Sequence, residues 1–267
     1  MDTNVSDAKD ASDQEKRATR RGASTKRVES VFDRIDRKKN PYAKDKYKED
    51  FKRESFRIPV EFRQQATEAL AAVAPIETIP HHNQGTLAMA LACAACGIPV
   101  VDSHALDSRG KSTGANGDCK NPRGKAWGEE ASTDPDKIIS RWTGDGHYPA
   151  SDDGERYRYA DITKVRNVSA VTGNGFFIWD LDGESGANSH EELIGEHGEL
   201  PPTPVTISGS GGRHFYFRCN RTINNTASAV APGIDVRGVG GQGLLPLSIH
   251  KSGNIYVWAK GCAPWEL

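Results

Sequence analysis

Residues 176–186 read FFIWDLDGESG, an apolar run that ends on two aspartates one residue apart. Aromatic and β-branched residues at its start favour a strand. In a strand, residues 176, 178, 180 and 182 share one face, so Asp180 and Asp182 project side by side at its end. Two carboxylates that close repel and raise each other's pKa unless a cation sits between them. A divalent ion resolves the conflict, and carboxylate oxygens suit Mg²⁺ or Mn²⁺. The alternative is a solvated turn after the strand, since Asp-x-Asp-Gly turns are common. A calcium loop over 180–191 fits poorly. Ser185 stands where the sharp turn needs Gly, and FFIW is not an amphipathic helix.

Two later stretches add to this one. SGSGGRHFYFR, 208–218, offers Gly209, Gly211 and Gly212, which allow close backbone approach and can form an anion-binding nest. Arg213 and His214 follow at the start of an aromatic strand. His214 can donate to a phosphate, or it can be a core histidine. PGIDVRGVGGQGLLPLSIHKSGNIYVW, 232–258, holds Asp235 between Ile234 and Val236. A lone acid in an apolar strand needs a partner. Arg237 shares its face, so a purely structural ion pair is the alternative to a metal.

The rest of the chain bounds these readings. At 267 residues it is long enough for one or two domains with a real core. Hydrophobic residues are 36% and charged residues 27%, polar enough to imply that part of the chain is not packed. No run approaches ~18 apolar residues, so no membrane span is expected. The acidic start, MDTNVSDAKDASDQ, lacks the features of a secretory signal. Five scattered cysteines, an odd number, favour a reducing interior over a disulfide framework. The expected location is therefore the cytoplasm. Net charge is −1, but residues 16–57 hold 16 Lys/Arg against 7 Asp/Glu, a local net of +9. A basic arm beside an acidic body often marks a nucleic-acid partner, and a solvated tail reads equally well.

Residues 1–57 are expected to be a largely disordered basic arm, and 58–85 a helix and linker. The helix spans 58–74, and Pro75, Pro80 and HHNQG break it, with His81 and His82 in the loop. A buried helix over 86–97 ends at Gly97, and a strand covers 98–103. Residues 104–126 read as loop. A short helix over 133–143 is capped by Thr133 or Asp134, with Pro135 in its first turn. From 168 onward strands dominate: VSAVTG, FFIWDLD, PVTISG, RHFYFRC, GIDVRG, GLLPLS and NIYVWA. One helix near 189–197 interrupts them. Early helices and later strands indicate an α+β fold. RGKST, 109–113, fails as a P-loop because Ala105 stands where the first Gly belongs. CAAC, 93–96, has no second pair for zinc and sits in an Ala/Leu-rich helix.

The order FFIWDLDG, SGSGGRHFYFR, GIDVRGVGG…PLSIHKSGNIYVW resembles the bifunctional primase–polymerase N-terminal domain of the archaeo-eukaryotic primase superfamily, frequent in phage and plasmid replication proteins. Upstream, ALACAACGIPVV is similar to that family's opening helix and strand. CKNPRGKAWGEEASTDPDKIISRWT resembles its Lys-Pro loop, Gly/Trp turn and Thr-Asp-Pro helix. NVSAVTGNG resembles the strand and turn before the acidic motif. The resemblance runs from about residue 86 to the end, so 86–267 is expected to be the catalytic domain.

The resemblance implies an antiparallel, RRM-like palm sheet with flanking helices, beside an N-terminal helical/αβ unit. It makes Asp180, Asp182 and Asp235 the metal-binding acids, for two Mg²⁺ or Mn²⁺ ions, and His214 a phosphate contact. Ser208, Gly211, Gly212, Arg213, Arg237, Ser248 and His250 fall where the family lines its nucleotide pocket. Pro246-Leu247-Ser248 departs from the usual Pro-Pro-Ser, and GQGLLP lacks the usual aromatic. The implied activity is template-dependent nucleotidyl transfer, making or extending primers. A single-stranded DNA template, NTP or dNTP and a separately encoded or unshown replicative helicase are the implied partners. A non-catalytic replication module and a metal-dependent nuclease are the rival readings.

Overall fold

The structure is a computed structural model that describes residues 60–72, 81–114, 117, 119–144 and 164–267. The basic arm of 1–57 lies outside the described residues. Two helices come first, α1 (Val60–Ala72) and α2 (His81–Ala95), then strand β1 (Val100–His104). Two short helices follow, α3 (Trp127–Glu130) and α4 (Pro135–Thr143). Strands β2 (Arg166–Thr172) and β3 (Phe176–Leu181) lead into α5 (Gly183–His197). The remainder is strands: β4 (Val205–Ile207), β5 (Arg213–Arg218), β6 (Ile234–Arg237), β7 (Gly241–Leu244) and β8 (Val257–Trp258). A 3₁₀ turn at Pro264–Glu266 closes the chain.

The strands form two antiparallel sheets, β1-β2-β7 and β6-β3-β5-β4-β8. The fold is thus α+β with antiparallel sheets. β3 is buried on both faces, which is why its sequence reads as a continuous apolar run. Phe176 and Ile178 join Tyr216, Val100, Val168 and Ala170 in a core that α2 and α4 also enter. Phe177, Trp179 and Leu181 point the other way, to Phe217, Ile234 and Val236, with Leu193 of α5 packed against them. Each such side chain contributes about 1.5–3 kcal/mol by leaving water. The first core draws on strands of both sheets and on the Ile178 side of β3.

Local chemistry sets the helix ends. Asp134 caps α4 by accepting from the Asp136 backbone N–H at 3.0 Å, with Pro135 opening the helix. α2 stops at Gly97, whose φ of +71° is left-handed. Arg218 of β5 donates to the carbonyls of Cys96 and Gly97 at 2.9 and 2.8 Å, placing a cation at that helix end.

Three sequence expectations are corrected. His81 and His82 are helical, not loop, because α2 begins at His81. Buried Asn83 explains the extension: its Nδ2 donates to the Lys164 carbonyl at 3.0 Å and its Oδ1 accepts from the Arg166 N–H at 2.8 Å. This tertiary tie outweighs the weak helix propensity of HHNQG. α5 begins at Gly183, six residues before the expected 189. The expected strands over 243–248 and 254–259 shrink to β7 and β8. Pro246 has no N–H to donate, and Leu247 turns the chain with a φ of +67°.

Candidate functional site

The ladder of the five-stranded sheet assembles the site. Asp180 on β3 is in register with Asp235 on β6 and with His214 on β5. The same register sets Ile178 opposite Arg237 and Tyr216. One row across three strands therefore reads Asp235, Asp180, His214, on the face that carries Ile178 into the core. Asp182 lies one step beyond β3 at the N-terminus of α5. Its backbone N–H donates to the Gly233 carbonyl at 2.8 Å, which ties it to the start of β6. That closeness requires small residues: a Cβ on Gly186 would lie 2.4 Å from the Gly233 oxygen. Asp180, Asp182 and Asp235 each bring a carboxylate oxygen to within 4.8 Å of the others.

The charges are unequal to one another. Asp180 is 6% exposed, Asp235 half-buried and Asp182 exposed. Arg237 Nη2 reaches Asp180 Oδ2 at 3.0 Å and Asp235 Oδ2 at 2.9 Å, and Nε adds a bond to Asp180 at 3.2 Å. Asp235 Oδ1 also accepts from the Ser228 N–H at 2.8 Å. His214 Nε2 lies 3.4 Å from Asp180 Oδ1. Burial lowers the His214 pKa, with Asp180 opposing, so the ring favours its neutral form. Its Nδ1 is buried without a hydrogen-bond partner. Desolvation and the charges of Asp180 and Asp235 raise the Asp182 pKa.

The raised Asp182 pKa makes a prediction for metal-free protein. The folded chain holds that proton more tightly than the unfolded chain, so ionised Asp182 opposes folding above the raised pKa. The opposition fades as pH falls and vanishes below the unfolded carboxylate pKa. Asp182→Asn is expected to raise the melting temperature at pH 7 and to leave it unchanged at strongly acid pH. Thermal melts at both pH values check this. The Asp182 side chain makes no capping bond to α5, so Asn removes none.

The turn between β4 and β5 carries the glycines. Ser208 N–H donates to the Gly212 carbonyl at 2.8 Å and Gly211 N–H to the Ser208 carbonyl at 2.9 Å. Gly211 has a φ of +89°, and a Cβ on Gly212 would lie 2.7 Å from the Leu181 oxygen. The hairpin tip at 250–254 rests on this turn. Ser252 Oγ and Asn254 Nδ2 both donate to the Gly209 carbonyl, at 3.2 and 2.7 Å. His250 stacks edge-on against Tyr256 at 5.9 Å, and Tyr256 meets His214 at 5.8 Å.

Not every residue singled out in the sequence joins this row. Arg213 is in register with Leu181, so it lies on the opposite sheet face from His214, where burial lowers the His190 pKa and the Arg213 charge adds to it. The Ser248 hydroxyl both donates to the Val168 carbonyl, at 3.0 Å, and accepts from its N–H, at 3.1 Å, holding β2. Sequence reasoning missed Lys120, whose charge acts on Asp182, His214 and His250. Its loop is pinned by its own backbone. His104 N–H donates to Asn121, Asn167 Nδ2 to Cys119 at 3.2 Å, and Gln242 Nε2 to Lys120 at 3.3 Å, each to a carbonyl. The signal was present in CKNPRGK, read only as a Lys-Pro loop. Tyr256 was also missed, because its place between two histidines depends on chain reversal at 250–254.

An antiparallel frame that lines up two acids and a histidine, adds a third acid from a helix start and turns cations toward them defines a carboxylate-triad protein. Its all-oxygen donor set suits a hard divalent cation. Residues 90–267 match the family model of the bifunctional DNA primase/polymerase N-terminal domain, and the chain belongs to that family. Membership implies a primase/polymerase-type activity, with DNA and nucleotides as the substrate classes. No curated protein sequence matches the chain. Among the described residues, no helix is long and apolar enough to cross a membrane.

Proposed function

We propose that the chain is a template-dependent nucleotidyltransferase that makes or extends primers in phage or plasmid DNA replication. The observation that carries this reading is the meeting of three carboxylate oxygens, within 4.8 Å of one another, beside His214 and Arg237. Asp180, Asp182 and Asp235 would hold two Mg²⁺ or Mn²⁺ ions. When bound, the ions supply charge neutralisation at the attacking 3′-oxygen and the leaving pyrophosphate. The five-stranded sheet serves as the palm.

The chain's own residues do the rest. The 3′-hydroxyl of a primer gives its proton to water as its oxygen attacks the nucleotide's α-phosphorus, and the bond to the β-phosphate's bridging oxygen breaks to release pyrophosphate. Charge grows on the phosphate oxygens during this step. His214 Nε2–H and the cations Arg237 and Lys120 face that charge and stabilise it as it develops. The glycine turn at Ser208, Gly211 and Gly212, together with His250, lines the nucleotide side. The dry setting of His214 keeps it neutral and oriented, a hydrogen-bond donor rather than a diffuse charge.

Incubation with primed and unprimed templates, Mn²⁺ and labelled NTP or dNTP tests the proposal. Template-directed extension supports it. Retention of DNA without synthesis marks a binding module, and strand cleavage marks a nuclease; either result overturns it. Lys120→Ala is expected to raise the nucleotide KM roughly tenfold by removing one charge-assisted phosphate contact, with a smaller change in kcat. Steady-state kinetics at two salt concentrations check this, and the effect shrinks as salt screens the charge.

A further inference from the structure

We propose that Arg237 is the counter-ion of the metal-free triad and that it exchanges with the divalent cation, passing from the carboxylates to the phosphates of the incoming nucleotide. This rests on the reading of the triad as the metal site. Nη2 of this one side chain spans Asp180 and Asp235 at 3.0 and 2.9 Å, two of the three acids a cation would bridge. The arginine and a metal ion compete for these carboxylates: the ion draws on their lone pairs, and its charge repels the guanidinium.

The structure favours departure of the arginine. Three carboxylates face a single guanidinium in direct contact, so the metal-free site keeps an excess of negative charge. Asp182 has no bond to Arg237, which leaves one acid outside the clasp. The Arg237 side chain is 37% exposed, so it can swing toward solvent without opening a core. Its backbone stays fixed, in register with Ile178. The pivot is therefore the side chain alone, and its exposed end can meet the nucleotide's phosphates.

Two consequences follow. Arg237 holds the acids together before metal arrives, so it stabilises the metal-free fold and weakens metal binding. Phosphates offer Arg237 a second partner, so nucleotide and metal assist each other, and by linkage the coupling is reciprocal.

Mn²⁺ binding, without nucleotide, measured by calorimetry on the full chain tests the exchange. Arg237→Ala is expected to bind Mn²⁺ about tenfold more tightly than the unsubstituted chain. It is also expected to melt at a lower temperature without metal and to gain more from Mn²⁺. Affinity that is unchanged or weaker in Arg237→Ala overturns the exchange. Asp180→Asn separates this from the underlying reading: if Mn²⁺ binding survives it intact, the triad is not the metal site. Should Arg237→Ala fail to fold by circular dichroism, Arg237→Gln keeps a polar side chain of similar reach and is judged by the same affinities.

Discussion

Asp180→Asn is expected to lower template-dependent incorporation by roughly a thousandfold or more, about 4 kcal/mol of transition-state stabilisation, because it takes the central carboxylate from the metal site. Asp180 is the hinge of the arrangement. Asp235 and His214 flank it in register, and Arg237 bonds it twice. Asn keeps the side chain's volume, and Arg237 keeps Asp235 as a partner at 2.9 Å. Circular dichroism should therefore match the unsubstituted chain while incorporation of labelled nucleotide on a primed template is lost. Incorporation at the unsubstituted rate would refute the assignment of the triad.

Asp102→Asn is expected to destabilise the fold by about 3–5 kcal/mol, since it strips the shared carboxylate from buried guanidiniums. Asp102, on β1, is fully buried. Arg141 bonds its Oδ1, Arg166 lies 3.1 Å from Oδ2, and Arg123 lies 3.5 Å from the same oxygen. Glu130 remains for Arg141 at 2.7 Å, and the Arg166 guanidinium keeps the Arg141 carbonyl at 2.6 Å. The cluster joins β1, α4, β2 and the Lys120 loop, whose Arg123 N–H donates to the Asp102 carbonyl at 3.0 Å. The melting temperature should fall by roughly 10 °C on the scale of domains this size. Differential scanning calorimetry measures the loss, and a melting temperature within a degree of the original would refute it.

The two predictions touch parts of the molecule that were unequally legible. The strand character of 176–181, the acid at 235 inside an apolar strand and the Gly-rich turn before His214 were written in local pattern. Apolar runs bounded by glycine report burial and turns directly, and an acid in such a run demands a partner. The caps were equally readable: Asp134 and Gly97 act through bonds only a few residues long. Asp102 was not. It sits in IPVVDS as a strand's trailing polar residue, and nothing near it announces three arginines drawn from positions 123, 141 and 166.

The sequence by itself determined the α+β class and the family resemblance, which implied the three acids, because apolar patterning, short-range turn chemistry and motif order are read along the chain. Only the tertiary structure decided which neighbours those acids have. Register across β6, β3 and β5 set Asp180 between Asp235 and His214, turned Arg213 to the opposite face and brought Arg237 onto two carboxylates. A shift of one residue in a pairing would turn that strand's side chains to the other face and reverse its assignments. Register is fixed by long-range packing of two apolar cores, which no single stretch of chain encodes.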